Sequence, residues 1–148
     1  FIIPHVLATL FMEKLFVPVF GKWKSLMLAF LCSAVFTLVT PIIKDKELLC
    51  IIQAFNGFSL GLLFPLLLGM AIESIDDRKR ATAMGIYQAI YAIGMFGGPY
   101  IAGKLNSAIG IQASFYFAGI LGIAAMMLIL AWNRKKHVSI RYSDYRKN

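Results

Sequence analysis

Long apolar stretches alternate with short polar ones along the whole of this chain. Five stretches are nearly free of charged side chains, and they cover residues 2–20, 25–43, 48–72, 81–103 and 111–132. A helix needs about 20 apolar residues to cross the hydrocarbon core of a bilayer, so each stretch is long enough to do so. The pattern predicts five membrane-spanning helices, followed by a basic tail at residues 133–148.

The five stretches must be helical, because hydrocarbon offers no hydrogen-bond partner to an unpaired backbone group and only helices and closed barrels pair them all. They are also too long, and alternate too little, to be the strands of a barrel. The short connections predict that neighbouring helices are antiparallel. The sequence therefore predicts an all-α fold, a polytopic helix bundle whose surroundings are the lipid bilayer.

Composition agrees with a membrane protein. Of the 148 residues 59% are hydrophobic and the mean hydropathy is +0.75, whereas soluble domains are about 45–50% apolar. The net charge of +8 could indicate a nucleic-acid partner, but the charges lie in loops and a tail between apolar runs, so we expect no nucleic acid.

Because Phe1 already lies in an apolar run, with no basic leader before it, we interpret the chain as a fragment that lacks an N-terminal part of the same protein.

The basic residues predict the orientation. If the loops alternate between the two sides of the membrane, eleven Lys and Arg residues lie on one side and three, at Lys44, Lys46 and Lys104, on the other. Cytoplasmic loops carry the excess of positive charge. We therefore expect a multi-pass protein of the cell membrane, with residues 21–24, residues 74–80 and the C-terminal tail in the cytoplasm.

Polar side chains within the spans mark candidate binding residues, since a buried amide or phenol needs a partner. Gln53 and Asn56 are three residues apart and share one helix face, and Tyr87 and Tyr91 are four apart on another, with Gln88 beside Tyr91. Each of these groups could contact a substrate in a cavity or hydrogen-bond and pack against a neighbouring helix. The polar groups are concentrated in the first, third and fourth spans, which predicts that these three lie near an interior.

Two residues of the first span, His5 and Glu13, are candidates for carrying protons, because a histidine or a carboxylate within a membrane span is often part of a proton path. A packing role for His5 is the alternative. Cys32 and Cys50 lie in apolar runs without the spacing of metal ligands, so we expect no metal and no cofactor. No set of residues resembles a catalytic site, and we expect a protein that is not an enzyme.

Small residues and prolines predict close helix packing and hinges. Glycines spaced by four allow helix backbones to approach, and a proline within a span removes a backbone hydrogen bond and permits a kink. The residues concerned are Gly57, Gly61, Pro65, Gly94, Gly98 and Pro99.

Two segments resemble a known family, the major facilitator superfamily of transporters. Residues 80–88 and 97–103, with Gly94, Gly98, Pro99 and Gly103, are similar to the start and the glycine-proline pattern of its penultimate helix, and the third span is similar to its tenth. Residues 20–24 resemble the family's loop between helices eight and nine, although Pro18 stands where an acidic residue is usual. The resemblance implies that the chain is most of the C-terminal half, helices eight to twelve.

This resemblance also implies a function, which is secondary active transport of a small organic molecule through a cavity that opens alternately to each side. The cavity is approached by helices eight, ten and eleven, the same three spans that carry the polar residues. We expect proton-coupled efflux, which is antiport, of a small organic molecule. The alternatives are an importer of a nutrient or metabolite with the same fold, and a membrane subunit that transports nothing.

Overall fold

The computed structural model describes the backbone of residues 2–11 and 17–145, and the side chains of residues 2–10 and 17–133. The described chain forms α-helices almost throughout, and it contains no strand. Its α-helices are α1 Ile2–Phe11, α2 Val17–Phe20, α3 Lys22–Val39, α4 Lys46–Ile72, α5 Asp77–Ile109 and α6 Ile111–Tyr145, and a 3-10 turn at Thr40–Ile42 follows α3. The prediction of an all-α helix bundle is confirmed.

Three helical segments of the described chain are long and apolar enough to cross a membrane. They are Lys22–Ile42, Lys46–Ile72 and Ile111–Asn133, with mean hydropathies of 2.1, 1.8 and 2.1. Helix α5 has 33 residues but is less apolar, because its glycines, its tyrosines and Gln88 replace aliphatic side chains. The spans predicted at residues 81–103 and 2–20 remain predictions, the second because residues 12–16 lie outside the described residues. Helix α6 continues into the predicted tail, whose side chains from residue 134 onward are likewise outside them.

Short polar sequences start and end the helices. The carboxylates of Asp45 and Asp76 accept hydrogen bonds from the backbone N–H groups of Glu47 and Arg78, at 3.0 and 3.2 Å, and so cap α4 and α5. Two junctions instead use glycine in a conformation with positive φ, which other residues rarely adopt. Gly21, with φ 77°, precedes α3, and Gly110, with φ 109°, separates α5 from α6.

Contacts along α3 establish its direction relative to its neighbours. Lys22 at the start of α3 pairs with Glu73 just after α4, and Ser33 in the middle of α3 contacts Asn56 in α4, so these two helices are antiparallel. Helix α6 packs on another side of α3, where Gly122 meets Ala34 and Gly119 meets Leu38, and is also antiparallel to it. The starts of α3 and α5 and the end of α4 therefore lie at one end of the bundle.

Glycine permits the tightest approach between helices, at Gly61 of α4. A methyl group at this position would overlap the backbone carbonyl oxygen of His5 and lie 2.9 Å from the Cβ atom of Ala8, both in α1. The hydroxyl of Thr9 lies 3.1 Å from the carbonyl oxygen of Gly61 and can donate a hydrogen bond to it. The predicted packing role of Gly61 corresponds to this contact between α1 and α4.

Burial is concentrated where α1, α3 and α4 meet. The buried apolar residues there form one cluster, consisting of Ala8, Leu26, Ala29, Leu62, Leu63 and Leu66. Helix α5 has no buried residue, and side chains such as Ile93 and Phe96 on it are 73% and 82% exposed. Helix α5 is therefore the least enclosed of the long helices in the described chain.

We predict that Gly61→Ala destabilises the protein by about 1–3 kcal/mol, because α1 would have to move away from α4 to admit the methyl group. The matched control is Gly69→Ala in the same helix, where a methyl group meets no described atom within 4 Å. There we expect no loss, and a gain of up to about 1 kcal/mol from the lower flexibility of the unfolded chain. The measurement is the thermal unfolding midpoint of the intact protein in detergent. Equal midpoints for the two variants would contradict the close contact.

Candidate functional site

A cavity of about 520 Å³ lies between α1, α4 and α5, with one contact from α3. This volume is within the roughly 300–1,000 Å³ typical of sites for small organic ligands. The lining residues are His5 of α1, Phe30 of α3, Leu60, Leu63, Phe64 and Leu67 of α4, and Tyr87 and Tyr91 of α5. All but Phe30 come from the three spans that the sequence placed near an interior.

The tyrosines of α5 line this cavity together, because residues four apart lie one helical turn from each other. The ring of Tyr91 contacts that of Phe64 edge to face, with centroids 5.3 Å apart and an angle of 60° between the rings. Both side chains remain partly open, with 41% of Phe64 and 45% of Tyr91 exposed. Gln88, which was predicted with the two tyrosines, is exposed and does not line the cavity.

Asn56 lies outside the cavity and is buried in the interface between α3 and α4, where it is 7% exposed. Its carboxamide oxygen accepts a hydrogen bond from the hydroxyl of Ser33 at 3.0 Å. Its NH₂ group donates one to the hydroxyl of Thr37 at 3.3 Å. Two hydroxyl groups one turn apart on α3 therefore bind the oxygen and the NH₂ group of the amide. This arrangement corresponds to the alternative in which Asn56 hydrogen-bonds a neighbouring helix.

Gln53 makes a similar but longer contact nearer the start of α4. Its NH₂ group donates to the hydroxyl of Thr40 at 3.4 Å, and that hydroxyl donates to the backbone oxygen of Phe36 at 2.7 Å. Gln53 is half-buried, so part of the side chain stays accessible. Substrate contact by Gln53 and by Asn56 stays a prediction. The structure adds their partners, which are Thr40 in the 3-10 turn for Gln53 and Ser33 and Thr37 on α3 for Asn56, and which the sequence did not reveal.

The remaining predicted residues occupy different surroundings. Gly57 is buried in α4, and helix continues on both sides of Pro65 in α4 and of Pro99 in α5. A methyl group on Gly94 or Gly98 would meet no described atom within 4 Å. The glycine face of α5 is therefore unoccupied within the described chain, unlike Gly61. The hinge and packing role predicted for Gly57, Pro65, Gly94, Gly98 and Pro99 stays a prediction.

One predicted proton carrier is part of the cavity wall. His5 is half-buried and lines the cavity opposite the tyrosines of α5. Glu13, the other predicted carrier, lies outside the described residues. Within the residues that the structure describes, no group of three or more His, Cys, Asp and Glu side chains could hold a metal ion.

Two ion pairs of the described residues lie at one end of the bundle, and none of their residues lines the cavity. Lys22 Nζ is 2.5 Å from Glu73 Oε1, in an exposed ion pair between the start of α3 and the end of α4. Arg80 pairs with Asp77 at 2.8 Å and donates to the backbone oxygen of Ile75 at 3.2 Å. Arg80 thus holds the loop between α4 and α5.

A larger concave surface, of about 710 Å³, lies near the C-terminal end of α5. It is lined by Pro99, Tyr100, Gly103, Lys104, Ser107 and Ala108, and Lys104 Nζ lies 5.3 Å from the centroid of the Tyr100 ring. One helix alone cannot enclose a ligand. The cavity shared by three helices is therefore the better candidate site.

Comparison with known proteins identifies the family. The sequence model of the Major Facilitator Superfamily matches residues 1–143, nearly the whole chain. The chain belongs to this family of membrane transporters, as its sequence motifs indicated, and it is a multi-pass membrane protein embedded in lipid. The apolar side chains exposed on its helices are those that a bilayer can cover.

Two curated relatives support this assignment. An uncharacterized MFS-type transporter of Methanocaldococcus jannaschii is 34% identical over 79 residues, which are 53% of this chain and 20% of that protein. A major facilitator superfamily multidrug transporter of Candida albicans is 32% identical over 101 residues, which are 63% of this chain and 16% of that protein. The chain thus matches a fifth or less of the length of these relatives. No solved structure matches it.

We predict that Asn56→Leu lowers stability by about 1–2 kcal/mol, because Ser33 and Thr37 lose their partner in a buried interface. A double-mutant cycle of Asn56→Leu with Ser33→Ala should show a coupling of about 0.6 kcal/mol, with about 1.7 as the upper bound for such pairs. The control cycle uses Ser107→Ala on α5, whose hydroxyl bonds its own helix at Gly103 and whose effect should be additive. The measurement is the unfolding midpoint of the intact protein. Unchanged stability combined with weakened substrate binding would instead favour the substrate role of Asn56.

Proposed function

We propose that this chain is the larger part of the C-terminal half of a secondary transporter, helices eight to twelve, which moves a small organic molecule by alternating access. The observation that carries the proposal is the cavity of about 520 Å³ between α1, α4 and α5. Transporter sites of this kind lie within the membrane between helices that rearrange around them. The remainder of the cavity would be supplied by the N-terminal part of the same protein.

We propose Tyr87 and Tyr91 as substrate contacts, because both line the cavity. Gln88 is exposed on the same helix and would reach substrate only from the side that the N-terminal part of the protein covers. Gln53 and Asn56 remain proposed contacts, but their hydrogen bonds to the 3-10 turn and to α3, respectively, support the alternative of helix packing. As substrate contacts we therefore propose the two tyrosines first, and Gln53 and Asn56 second.

Alternating access requires some helices to stay together while others move. A close contact at Gly61 joins α4 to α1, and close contacts at Gly119 and Gly122 join α6 to α3. Helix α5 has no buried residue and has unoccupied glycines around Pro99. These properties support a hinge function for Pro99 and its neighbouring glycines, since few packed contacts must break when α5 bends.

Proton coupling and efflux complete the proposal. His5 supports the coupling, because it lines the cavity and histidine is the side chain that changes charge near neutral pH. The relative that is described as a multidrug transporter supports export of small organic compounds. Import by the same fold is the competing direction, and transport in inverted membrane vesicles distinguishes the two.

We predict that substrate addition drives a proton flux, measured with the pH-sensitive dye pyranine inside proteoliposomes of the intact protein. The compounds tested are fractions of a cell extract together with chloramphenicol, tetraphenylphosphonium, hippurate and methyl glucoside. In the His5→Gln variant the proton flux should disappear while gradient-free exchange of the labelled compound continues, because glutamine can hydrogen-bond but cannot carry a proton. Glu13→Gln tests the second candidate in the same way. A His5→Gln variant with normal proton flux would remove His5 from the coupling, and a protein that moves no compound would contradict transport.

The proposed orientation places the loops at residues 21–24 and 74–80, and the C-terminal tail, in the cytoplasm. Interhelical contacts support the alternation, because they bring the starts of α3 and α5 to the same end of the bundle as the end of α4. That end carries Lys22, Lys24, Arg78, Lys79 and Arg80, which is the charge excess typical of cytoplasmic loops.

We predict that a membrane-impermeant maleimide labels Lys46→Cys but not Lys79→Cys in intact cells, in a background with Cys32→Ala and Cys50→Ala. Inverted vesicles should reverse the result, which controls for the reactivity of each cysteine. Both lysines are exposed at opposite ends of the bundle, so burial does not explain a difference. Labelling of Lys79→Cys from outside intact cells would show that the orientation is wrong.

A further inference from the structure

We propose that the cavity between α1, α4 and α5 binds the aromatic ring of an uncharged substrate, and that it selects against permanently charged molecules and against sugars. This inference rests on the proposed function, because it names the substrate class for the same cavity. It follows from three properties of the described lining, which are its lack of permanently charged side chains, its aromatic rings and its small number of polar groups.

Among the residues that the structure describes, the lining contains no Asp, Glu, Lys or Arg. On α4 and α5 the described charged side chains lie near helix ends, such as Glu47 in the first turn of α4 and the pair of Asp77 with Arg80 at the start of α5. A permanently charged ligand would lose its water in the cavity without gaining an opposite charge or a set of strong hydrogen bonds. The cavity therefore favours uncharged molecules.

Half of the lining residues are aromatic, namely Phe30, Phe64, Tyr87 and Tyr91. Phe64 and Tyr91 already contact each other edge to face at 5.3 Å, and each keeps about two fifths of its surface open. A partly exposed edge-to-face pair can accept a third ring in a stacked or perpendicular arrangement, both of which are favourable. The geometry favours a ligand with a planar ring over an aliphatic one of equal size.

Few polar side chains of the described residues line the cavity, and they are two phenols and one imidazole. No group in the described part of the chain hydrogen-bonds the hydroxyl of Tyr87 or of Tyr91. These hydroxyls can therefore serve one or two polar groups of a ligand. A sugar has many more hydroxyls, and a site that leaves most of them unpaired rejects it.

Binding to the purified intact protein, measured by equilibrium dialysis with radiolabelled probes, tests this inference. Chloramphenicol is the uncharged aromatic probe, tetraphenylphosphonium the aromatic cation, hippurate the aromatic anion and methyl glucoside the uncharged sugar. We expect chloramphenicol to bind at least about tenfold more tightly than each of the others. A charged probe or the sugar binding as tightly as chloramphenicol would overturn the proposal, as would no binding of chloramphenicol.

Variants locate the binding site. Tyr91→Leu removes one ring and should weaken chloramphenicol binding by about three- to tenfold, the range expected for one aromatic pair. Tyr91→Phe keeps the ring and should bind chloramphenicol within about twofold of the unaltered protein. The matched control is Tyr116→Leu on α6, where the tyrosine is 40% exposed but does not line the cavity. Unfolding midpoints identify any variant that fails to fold. Unweakened binding by a folded Tyr91→Leu variant would overturn the proposed site.

Failure of this inference and failure of the proposed function give different results. A protein that moves protons with another compound but does not bind chloramphenicol remains a transporter, and only the substrate class is wrong. A protein that binds chloramphenicol through Tyr91 but moves no compound in proteoliposomes has the inferred site without the proposed transport.

Discussion

Hydrocarbon offers no hydrogen-bond partner, and this constraint governs how the polar groups of the chain are arranged. The backbone satisfies it by forming helices almost throughout. Asn56 satisfies it across an interface, because Ser33 donates a hydrogen bond to its carboxamide oxygen and Thr37 accepts one from its NH₂ group, which lipid cannot do. The same interface is closed at its end by the exposed pair of Lys22 with Glu73. The interface between α3 and α4 thus combines a polar centre with a charged end.

Close packing adds the second level of organisation, because it separates a well-joined group of helices from a loosely held one. Gly61 brings α4 against α1, and Gly119 and Gly122 bring α6 against α3. Helix α5 has no comparable contact among the described residues, yet it supplies both tyrosines of the cavity. The candidate site therefore lies between the joined helices and the one with the fewest packed contacts, where a movement of α5 would change its shape most directly.

The chemistry of the cavity differs from that of the bundle around it. The interface between α3 and α4 holds an amide and hydroxyls that are bonded to each other, whereas the cavity holds aromatic rings that are partly exposed. Polar groups with partners stabilise the fold, and open rings remain available to a ligand. Two residue pairs with similar spacing, Gln53 with Asn56 and Tyr87 with Tyr91, thus lie in different environments.

The sequence by itself determined the helical fold, the family and the tyrosine face of α5. Apolar length and backbone chemistry decide the first, and a spacing of four residues places Tyr87 and Tyr91 together whatever surrounds them. Only the tertiary structure decided which neighbouring side chains contact each face of a helix. Nothing in the spacing of Asn56 distinguishes a substrate from the hydroxyls of Ser33 and Thr37, because both satisfy an amide equally well. Phe64 was likewise hidden among the many apolar residues of α4, since an apolar side chain shows its role only through its neighbours.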